Sequence, residues 1–230
     1  MKTFLLILFI LFSNLIIGQD FVYVWNLNGT AIKVGPSKHT QTIKSLELGD
    51  SVQFAPFNRD QQAIHSSLGN YPMSGRWKMV NIGDTIGFVF GEDLSTIKPK
   101  LTDRLGLRSI DYQSYLGKVI SDTVVIKERI INDKVFKIER DIKLYEFGKY
   151  ETETFDGCFD HYYTFSNLDF NEVFFLMMSM YGLKVGDETI LPGFSEEIDG
   201  QIKFWGLELT FEIIIKKTEK GWQIFSYDCT

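Results

Sequence analysis

The sequence predicts a mainly β, α+β protein: a small β-barrel followed by an antiparallel-sheet domain with one buried helix. Short β-branched and aromatic segments separated by turn residues fill residues 20–95, a pattern typical of small barrels. A second set of such segments follows residue 105, and Phe170–Tyr181 is the one convincing helical segment. With 20 Phe, 10 Tyr and 4 Trp in 230 residues, the chain has enough apolar area to fold.

The N-terminus has the layout of a secretory signal peptide over residues 1–18. Lys2 precedes the apolar run Phe4–Phe12, and Gly18 closes the segment with a small residue. A membrane-spanning helix needs about 20 predominantly apolar residues, whereas this segment is shorter and is interrupted at Ser13. We therefore expect an exported chain, periplasmic or extracellular, with no stable membrane anchor once the signal is removed.

The net charge argues against nucleic acid as a partner. The chain carries −6, and loss of the signal peptide with Lys2 leaves 23 basic and 30 acidic residues, a charge of −7. An acidic chain without a basic cluster does not attract a phosphate backbone.

Turn residues delimit the strands of the predicted barrel. The strands are Phe21–Trp25, Gln41–Leu48, Ser51–Phe54, Trp77–Ile82 and Thr85–Phe90. The turns between and beside them contain Asn28-Gly29, Gly35-Pro36-Ser37, Gly49-Asp50 and Gly83-Asp84. In Phe21–Trp25 the period of two places Val22 and Val24 on one face and the aromatic residues on the other.

This part of the chain resembles the bacterial SH3-type (SH3b) domains of secreted and cell-wall proteins. The resemblance lies in Gly35-Pro36-Ser37, Leu46-x-x-Gly49-Asp50-x-Val52, Trp77-x-x-Val80, and Gly87-Phe88-Val89 followed by Asp93-Leu94. It covers about a third of the chain and implies an SH3-like barrel that acts as a binding module. Ala31-Ile32-Lys33-Val34 departs from the Asn-Val-Arg usual in the family, and Ala55–Ser74 is an inserted loop.

The predicted ligand-binding residues come from the first strand, the insertion and the strand that follows it. They are Tyr23, Trp25, Phe57, Arg59, Tyr71 and Trp77. Aromatic faces with one arginine can hold a peptide or a glycan. The alternative is that Phe57 and Tyr71 pack the insertion onto the barrel, and that the neighbouring domain covers Tyr23 and Trp25.

Residues 96–104 are predicted to be a linker, because they are polar, basic and broken by Pro99. Residues 105–230 are predicted to form an α+β domain of no recognised family. Its predicted strands are Lys118–Lys127, Lys134–Arg140, Ile142–Phe147, Cys158–Phe165, Gln201–Trp205, Leu207–Lys216 and Trp222–Tyr227. The helix Phe170–Tyr181 is expected to begin with a capping box of Asp169 and Glu172 and, being apolar all round, to be buried.

The chain contains two cysteines, Cys158 and Cys229. In an exported chain two cysteines are a natural pair. We predict a disulfide that attaches the C-terminal strand to the middle of the second sheet.

Catalysis is not expected. Barrels of this type often accompany NlpC-type cysteine peptidases, but the only histidine beyond Cys158 is His161, and an odd separation on a strand points the two side chains to opposite faces. Asp156, Asp160 and His161 lack the second histidine typical of hydrolytic zinc sites, which leaves a calcium site or, more simply, a solvated turn. No cofactor or metal is predicted.

A carboxylate pair for sugar cleavage could assemble only in the fold, and no two of the available glutamates stand out. They are Glu151, Glu153, Glu196, Glu197 and Glu208. The sequence therefore predicts an exported non-catalytic binding or adaptor protein whose barrel engages cell-wall peptide, glycan or a protein. The alternative is a secreted inhibitor or immunity-type protein that blocks a toxin or hydrolase, with a cell-wall hydrolase third.

Overall fold

The computed structural model describes residues 21–55, 61–66, 68–83, 85–104, 106–131 and 133–229. The predicted signal peptide lies outside these ranges. Within them, no helix combines the length and the apolar character needed to cross a membrane. Strands make up most of the described chain, which confirms the mainly β, α+β fold class.

Residues 21–95 form an antiparallel sheet. Its described strands are β1 (Phe21–Val24), β2 (Thr30–Lys33), β3 (Thr42–Leu46), β4 (Ser51–Phe54), β5 (Gln61–Ser66), β6 (Pro72–Ile82), β7 (Thr85–Phe90) and β8 (Leu94–Ser95). Their order is β3-β2-β7-β6-β4-β1-β8, and β5 pairs with β6. Val22 and Val24 lie together in a small core with Ile32, Val80 and Val89, as the alternation of β1 predicts. Membership of the SH3-type family stays a prediction.

Two residues of the proposed family motif have structural roles. Gly87 lies where β7 passes β2, and a Cβ at this position would collide with the side chain of Ile32. Asp93 is buried and accepts hydrogen bonds from the Asn26 amide at 2.9 Å and from the Thr30 hydroxyl at 2.6 Å. Asp93 therefore ties the turn between β1 and β2 to the end of the sheet.

The insertion Ala55–Ser74 was expected to be a loop, and this expectation is wrong for its described part. Gln61–Ser66 (β5) pairs antiparallel with residues 72–77 of β6, and a 3₁₀ turn at Leu68–Asn70 lies between them. The β-strand signal of this hairpin is weak, because Ile64 is the only β-branched residue in β5.

The remaining described residues form a second, larger antiparallel sheet with two small hairpins and two helices. In chain order the elements are β9 (Leu101–Arg104), β10 (Leu107–Ile110), α1 (Gln113–Leu116), β11 (Val119–Ile131), β12 (Lys134–Tyr145), β13 (Gly148–Phe155), β14 (Cys158–Phe165), α2 (Phe170–Tyr181), β15 (Leu183–Val185), β16 (Glu188–Ile190), β17 (Gly193–Ile198), β18 (Gln201–Trp205), β19 (Thr210–Thr218) and β20 (Gly221–Cys229). The order in the large sheet is β11-β12-β13-β14-β20-β19-β18-β17.

Several predicted elements in this half differ from the structure, and three of the differences are informative. The predicted linker 96–104 includes the strand β9, which pairs with β10. The segments predicted as two strands around Asp141 form the single strand β12, because Asp141 takes a regular place in the ladder opposite Val124. The strand β13 was not predicted, because every second residue in its first half is charged.

Helix α2 has the predicted bounds and the predicted capping box of Asp169 and Glu172. Residues 172–180 are all buried. The end of the helix is held by the β9–β10 hairpin: the Arg104 guanidinium donates to the carbonyl of Met180, and the Ser179 hydroxyl accepts from the amide of Ile110 at 2.6 Å. A cation at the C-terminus of a helix satisfies free carbonyls and complements the helix dipole.

The two sheets share one hydrophobic core around α2. Apolar side chains from residues 21–95 pack in the same cluster as the helix and the large sheet; they are Trp25, Leu48, Leu68, Tyr71, Met73, Trp77 and Phe90. A buried hydrogen bond of 2.5 Å runs from the Ser95 hydroxyl to the Glu172 carboxylate across this junction. The predicted boundary near residue 95 thus lies at a packed interface.

The predicted disulfide between Cys158 and Cys229 is present, with 4.1 Å between the two Cα atoms. The two residues lie directly opposite each other in β14 and β20, the fourth and fifth strands across the large sheet. Because disulfides persist in oxidising compartments, the bond indicates an exported chain.

Candidate functional site

The structure places three of the predicted ligand-binding residues in the core, where they have almost no exposed surface. The indole N–H of Trp25 donates to the carbonyl of Ile97 at 2.6 Å. Tyr71 packs against the rings of α2 and the large sheet, with its centroid 5.4 Å from that of Phe174. Trp77 meets Phe90 edge to face at 6.0 Å. The insertion is therefore packed by Tyr71 onto α2, and the ligand-facing surface expected of these three rings is not formed.

Of the other predicted ligand-binding residues, Tyr23 is half-buried and has the ammonium of Lys98 5.9 Å from its ring centre. Phe57 and Arg59 lie outside the described residues. The aromatic face of the first sheet thus serves mainly to join the two sheets, and a binding site has to be sought elsewhere.

The large sheet has two unlike faces. One face, the inner face, carries Phe165, Phe204 and Ile224, which pack in the core with α2. The register of the strands defines the opposite face, the outer face, by one continuous row of cross-strand neighbours: Trp205, Glu212, Tyr227, Asp160, Glu153 and Arg140. This row combines aromatic and acidic side chains in one line across the sheet.

A cavity of about 180 Å³ opens on the outer face beside the disulfide. We call it the Tyr227 pocket, and its lining residues are Ile138, Glu153, Phe155, Asp156, Cys158, Asp160 and Tyr227. Phe155 and Ile138 supply an apolar wall, and Phe136 packs edge to face on Phe155 at 5.3 Å. The pocket therefore joins an apolar wall to three carboxylates.

Two large aromatic residues near this row face solvent: Phe211 lies beside Tyr227, and Trp205 lies two strands away from it. The exposed fraction is 65% for Trp205 and 58% for Phe211, and the ring centroids of Phe211 and Tyr227 are 6.0 Å apart. Glu212 lies between Trp205 and Tyr227 in the row. Exposed tryptophan and tyrosine on the same face as a pocket are typical of the residues that dominate binding energy at protein interfaces.

Ion pairs and one exposed carboxylate surround the pocket. Glu153 contacts the ammonium of Lys127 at 2.9 Å and the guanidinium of Arg140 at 3.1 Å, and Arg140 also contacts Glu151 at 2.5 Å. Lys127 and Arg140 are thus held by Glu151 and Glu153, and the exposed carboxylate of Asp156 lies at the rim of the pocket. The pocket favours a cationic group with an apolar stem.

Among the described residues, no group of three or more His, Cys, Asp and Glu side chains is arranged to hold a metal ion. The strand register also separates His161 from Asp156 and Asp160, so these three side chains do not meet at one metal site. Asp160 lies in the outer-face row, and His161, one residue along the strand, points to the inner face.

Comparison of the chain with family models, with curated proteins and with solved structures finds no match in any of the three.

His161 belongs to a chain of polar groups on the inner face. Its Nδ1 is 2.9 Å from the Tyr150 hydroxyl, and its Nε2 is 3.4 Å from the Asp228 carboxylate. Burial lowers the pKa of His161, against the opposing effect of Asp228. Stacking on Tyr150 and Tyr163 completes the surroundings of the ring. Both ring nitrogens thus lie next to polar groups of the sheet. Cys158, on the same strand, points to the opposite face, and its sulfur is in the disulfide.

Sequence reasoning missed Trp205, Phe211 and Tyr227 as candidate site residues. A signal for one of them was present, because an antiparallel pairing of Cys158 with Cys229 places Asp160 opposite Tyr227. The exposure of Trp205 could not be foreseen, since an aromatic residue in a strand is more often buried than exposed.

Proposed function

We propose that the protein is an exported, non-catalytic binding protein, periplasmic or extracellular, that captures a partner through the outer face of its large sheet. The observation that carries this proposal is the exposure of Phe211, beside Tyr227 of the pocket, and of Trp205, two strands away on the same face. Exposed rings of this size on one face are costly to solubility and are typical of interaction surfaces. They can bury large apolar areas when a partner covers them.

The size and charge of the pocket suggest what the partner presents. Pockets for drug-sized ligands are about 300–1,000 Å³, and the Tyr227 pocket, at about 180 Å³, is below that range. It suits a single side chain better than a whole small molecule. With the exposed carboxylate of Asp156 at the rim, the fitting side chain is a lysine or arginine whose stem lies along Phe155 and whose charge meets that carboxylate.

The partner that best matches this chemistry is a basic protein, and the chain's net charge of −6 adds long-range attraction to the local one. Inhibition of a basic secreted toxin or hydrolase is one form that such binding can take. A cell-wall peptide with a free amino group offers related chemistry, so wall material is included in the test.

The proposal is tested by calorimetric titration of the mature chain with an oligolysine peptide and, as the charge control, an oligoglutamate peptide. Asp156→Asn is the informative variant, because Asp156 has φ 52° and asparagine tolerates this left-handed conformation. Asp199→Asn is the matched control, since Asp199 is also an exposed turn residue, with φ 51°, on another hairpin.

We expect oligolysine to bind and oligoglutamate not to bind. Asp156→Asn and Trp205→Ala should each weaken oligolysine binding by roughly tenfold, about 1.4 kcal/mol, while Asp199→Asn leaves it unchanged. Co-sedimentation with cell-wall sacculi then decides whether wall material is retained by the same residues. Equal affinity of wild type and both site variants, for peptide and for sacculi, would remove the basis of the proposal.

A further inference from the structure

The strand β11 forms one edge of the large sheet; it carries charged residues, among them Lys127, but it is neither short nor interrupted by proline. It pairs with β12 on one side, and the described residues place no strand on its other side. It is 13 residues long, contains no proline, and has its one irregularity at its beginning, between Val119 and Ser121. Sheet edges of this length are normally shortened, bulged or covered, because their free amides and carbonyls can pair with another strand.

Several apolar side chains of β11 are exposed along this edge. Val124 and Ile126 point to the same face of the sheet and are 56% and 57% exposed, and Ile130, near the end of the strand, is 71% exposed. Val125 points to the outer face, beside Arg140 of β12. An exposed apolar strand edge thus runs along the side of the molecule.

We infer that a second copy of this chain covers this edge, with the two β11 strands antiparallel about a two-fold axis at Val125. A two-fold axis perpendicular to the sheet keeps equivalent faces together, so paired residues must have numbers of equal parity. With the axis at Val125, Val124 of each copy lies opposite Ile126 of the other. The match covers the regular part of the strand, from Ser121 onward, because Ile120 lies in the irregularity.

If the two-fold axis is moved by one residue in either direction, Val124 and Ile126 of the two copies no longer lie opposite each other. With the axis at Ile126, Val124 would lie opposite Glu128, and with the axis at Val124, Ile126 would lie opposite Asp122. Each alternative sets an apolar side chain against a carboxylate. The pattern of β11 is therefore self-complementary about Val125, and this is what favours a second copy over an unrelated strand.

One pair of charges in β11 opposes this arrangement, and neighbouring lysines of β12 offset it. Asp122 of one copy lies opposite Glu128 of the other, and each has a lysine as its neighbour in β12. Lys143 contacts Asp122 at 3.3 Å, and Lys137 is the cross-strand partner of Glu128. The row across the junction reads lysine, carboxylate, carboxylate, lysine, so the two negative charges lie between two positive ones.

The dimer would leave the proposed partner-binding site free. The Tyr227 pocket is formed mainly by β13, β14 and β20, at the middle of the sheet, whereas the junction is at β11. Because the axis is perpendicular to the sheet, both pockets face the same side. Two equivalent sites on one side give a bivalent binder, whose avidity for a multivalent partner exceeds that of one site.

The first test is sedimentation equilibrium of the mature chain together with a cysteine cross-link. Since directly opposite residues in an antiparallel pair have Cα atoms about 4.5–5.5 Å apart, the variant Val125→Cys should form a covalent dimer on mild oxidation. Thr123→Cys is the matched control, because residue 123 faces residue 127 and not its own copy. A monomer at every concentration, or equal cross-linking by both variants, would overturn the inference.

The second test uses charge at exposed positions, so that folding is preserved. Val124→Lys and Ile126→Lys together place each new lysine beside Asp141 or Glu139 of its own chain, yet set lysine against lysine across the junction. This variant should be folded and monomeric, with an unfolding midpoint that does not depend on protein concentration. Val124→Lys combined with Ile126→Glu sets opposite charges across the junction and should restore the dimer. A dimer that tolerates the double lysine would contradict the proposed register.

Discussion

The buried carboxyl of Asp93 gives the protein a stability that depends on pH in a specific direction. Asp93 is 4% exposed, and burial raises the pKa of its carboxyl from 3.8 to about 6, although the hydrogen bonds from Thr30 and Asn26 oppose the rise. Because the folded-state pKa is above the unfolded one, folding favours the protonated carboxyl. The stabilising contribution is complete below the unfolded pKa and is lost as the pH rises through the folded pKa, about 6.

The magnitude follows from the same shift. A rise of roughly two pKa units corresponds to about 3 kcal/mol of unfolding free energy, at 1.36 kcal/mol per unit. The variant Asp93→Asn removes the titration and can keep both hydrogen bonds: its amide oxygen accepts from Asn26, and its amide nitrogen donates to the Thr30 hydroxyl, which serves as donor or acceptor.

The assay is urea unfolding of wild type and Asp93→Asn from about pH 4 to about pH 7.5, with the difference in unfolding free energy plotted against pH. The difference cancels the other titrating groups common to both proteins. We expect wild type to lose about 2.5 kcal/mol relative to the variant across this range, slightly less than the full shift because the unfolded carboxyl is already partly ionised at about pH 4. A difference that is flat with pH, or that changes in the opposite direction, would refute the reasoning.

Three further predictions concern the contacts that join the parts of the fold. Reduction of the disulfide, which closes a loop of 71 residues, should lower the unfolding free energy by about 4 kcal/mol in urea melts with and without reductant. Tyr71→Ala should cost about 3 kcal/mol in the same assay because it empties a site among core rings, whereas Ile64→Ala, at an exposed position of the same hairpin, should cost less than about 0.5 kcal/mol. Ser95→Ala should cost about 2 kcal/mol because it leaves one oxygen of the buried Glu172 carboxylate without its donor, the other oxygen still accepting from the Asp169 amide, and Ser95→Thr should recover part of the loss.

The sequence predicted correctly those helices and strands whose bounds are determined by residues within the segment itself. The helix Phe170–Tyr181 and the strands Cys158–Phe165 and Gln201–Trp205 have the predicted bounds, because caps, turn residues and apolar periodicity lie within each segment. The disulfide was predicted because only two cysteines are available to pair.

Elements that depend on distant partners were missed. The strand β13 was not predicted because charged residues alternate in its sequence. Glu151 is accommodated in the strand by an ion pair with Arg140 of β12, and this contact is known only from the fold. The role of Tyr71 was misassigned for the same reason: its contacts are in α2 and the large sheet, about a hundred residues away. The outer-face site likewise gathers Asp160 and Trp205 from separate strands.

The most direct test of the binding proposal is an amide chemical-shift map of the mature chain during titration with oligolysine. The proposal predicts that the shifts concentrate at residues 153–160, 205–212 and 227, around the Tyr227 pocket, and that residues 21–95 stay unchanged. Shifts concentrated on residues 21–95 would return the binding function to the first sheet, and the absence of any saturable shift would contradict a site for cationic groups on the outer face.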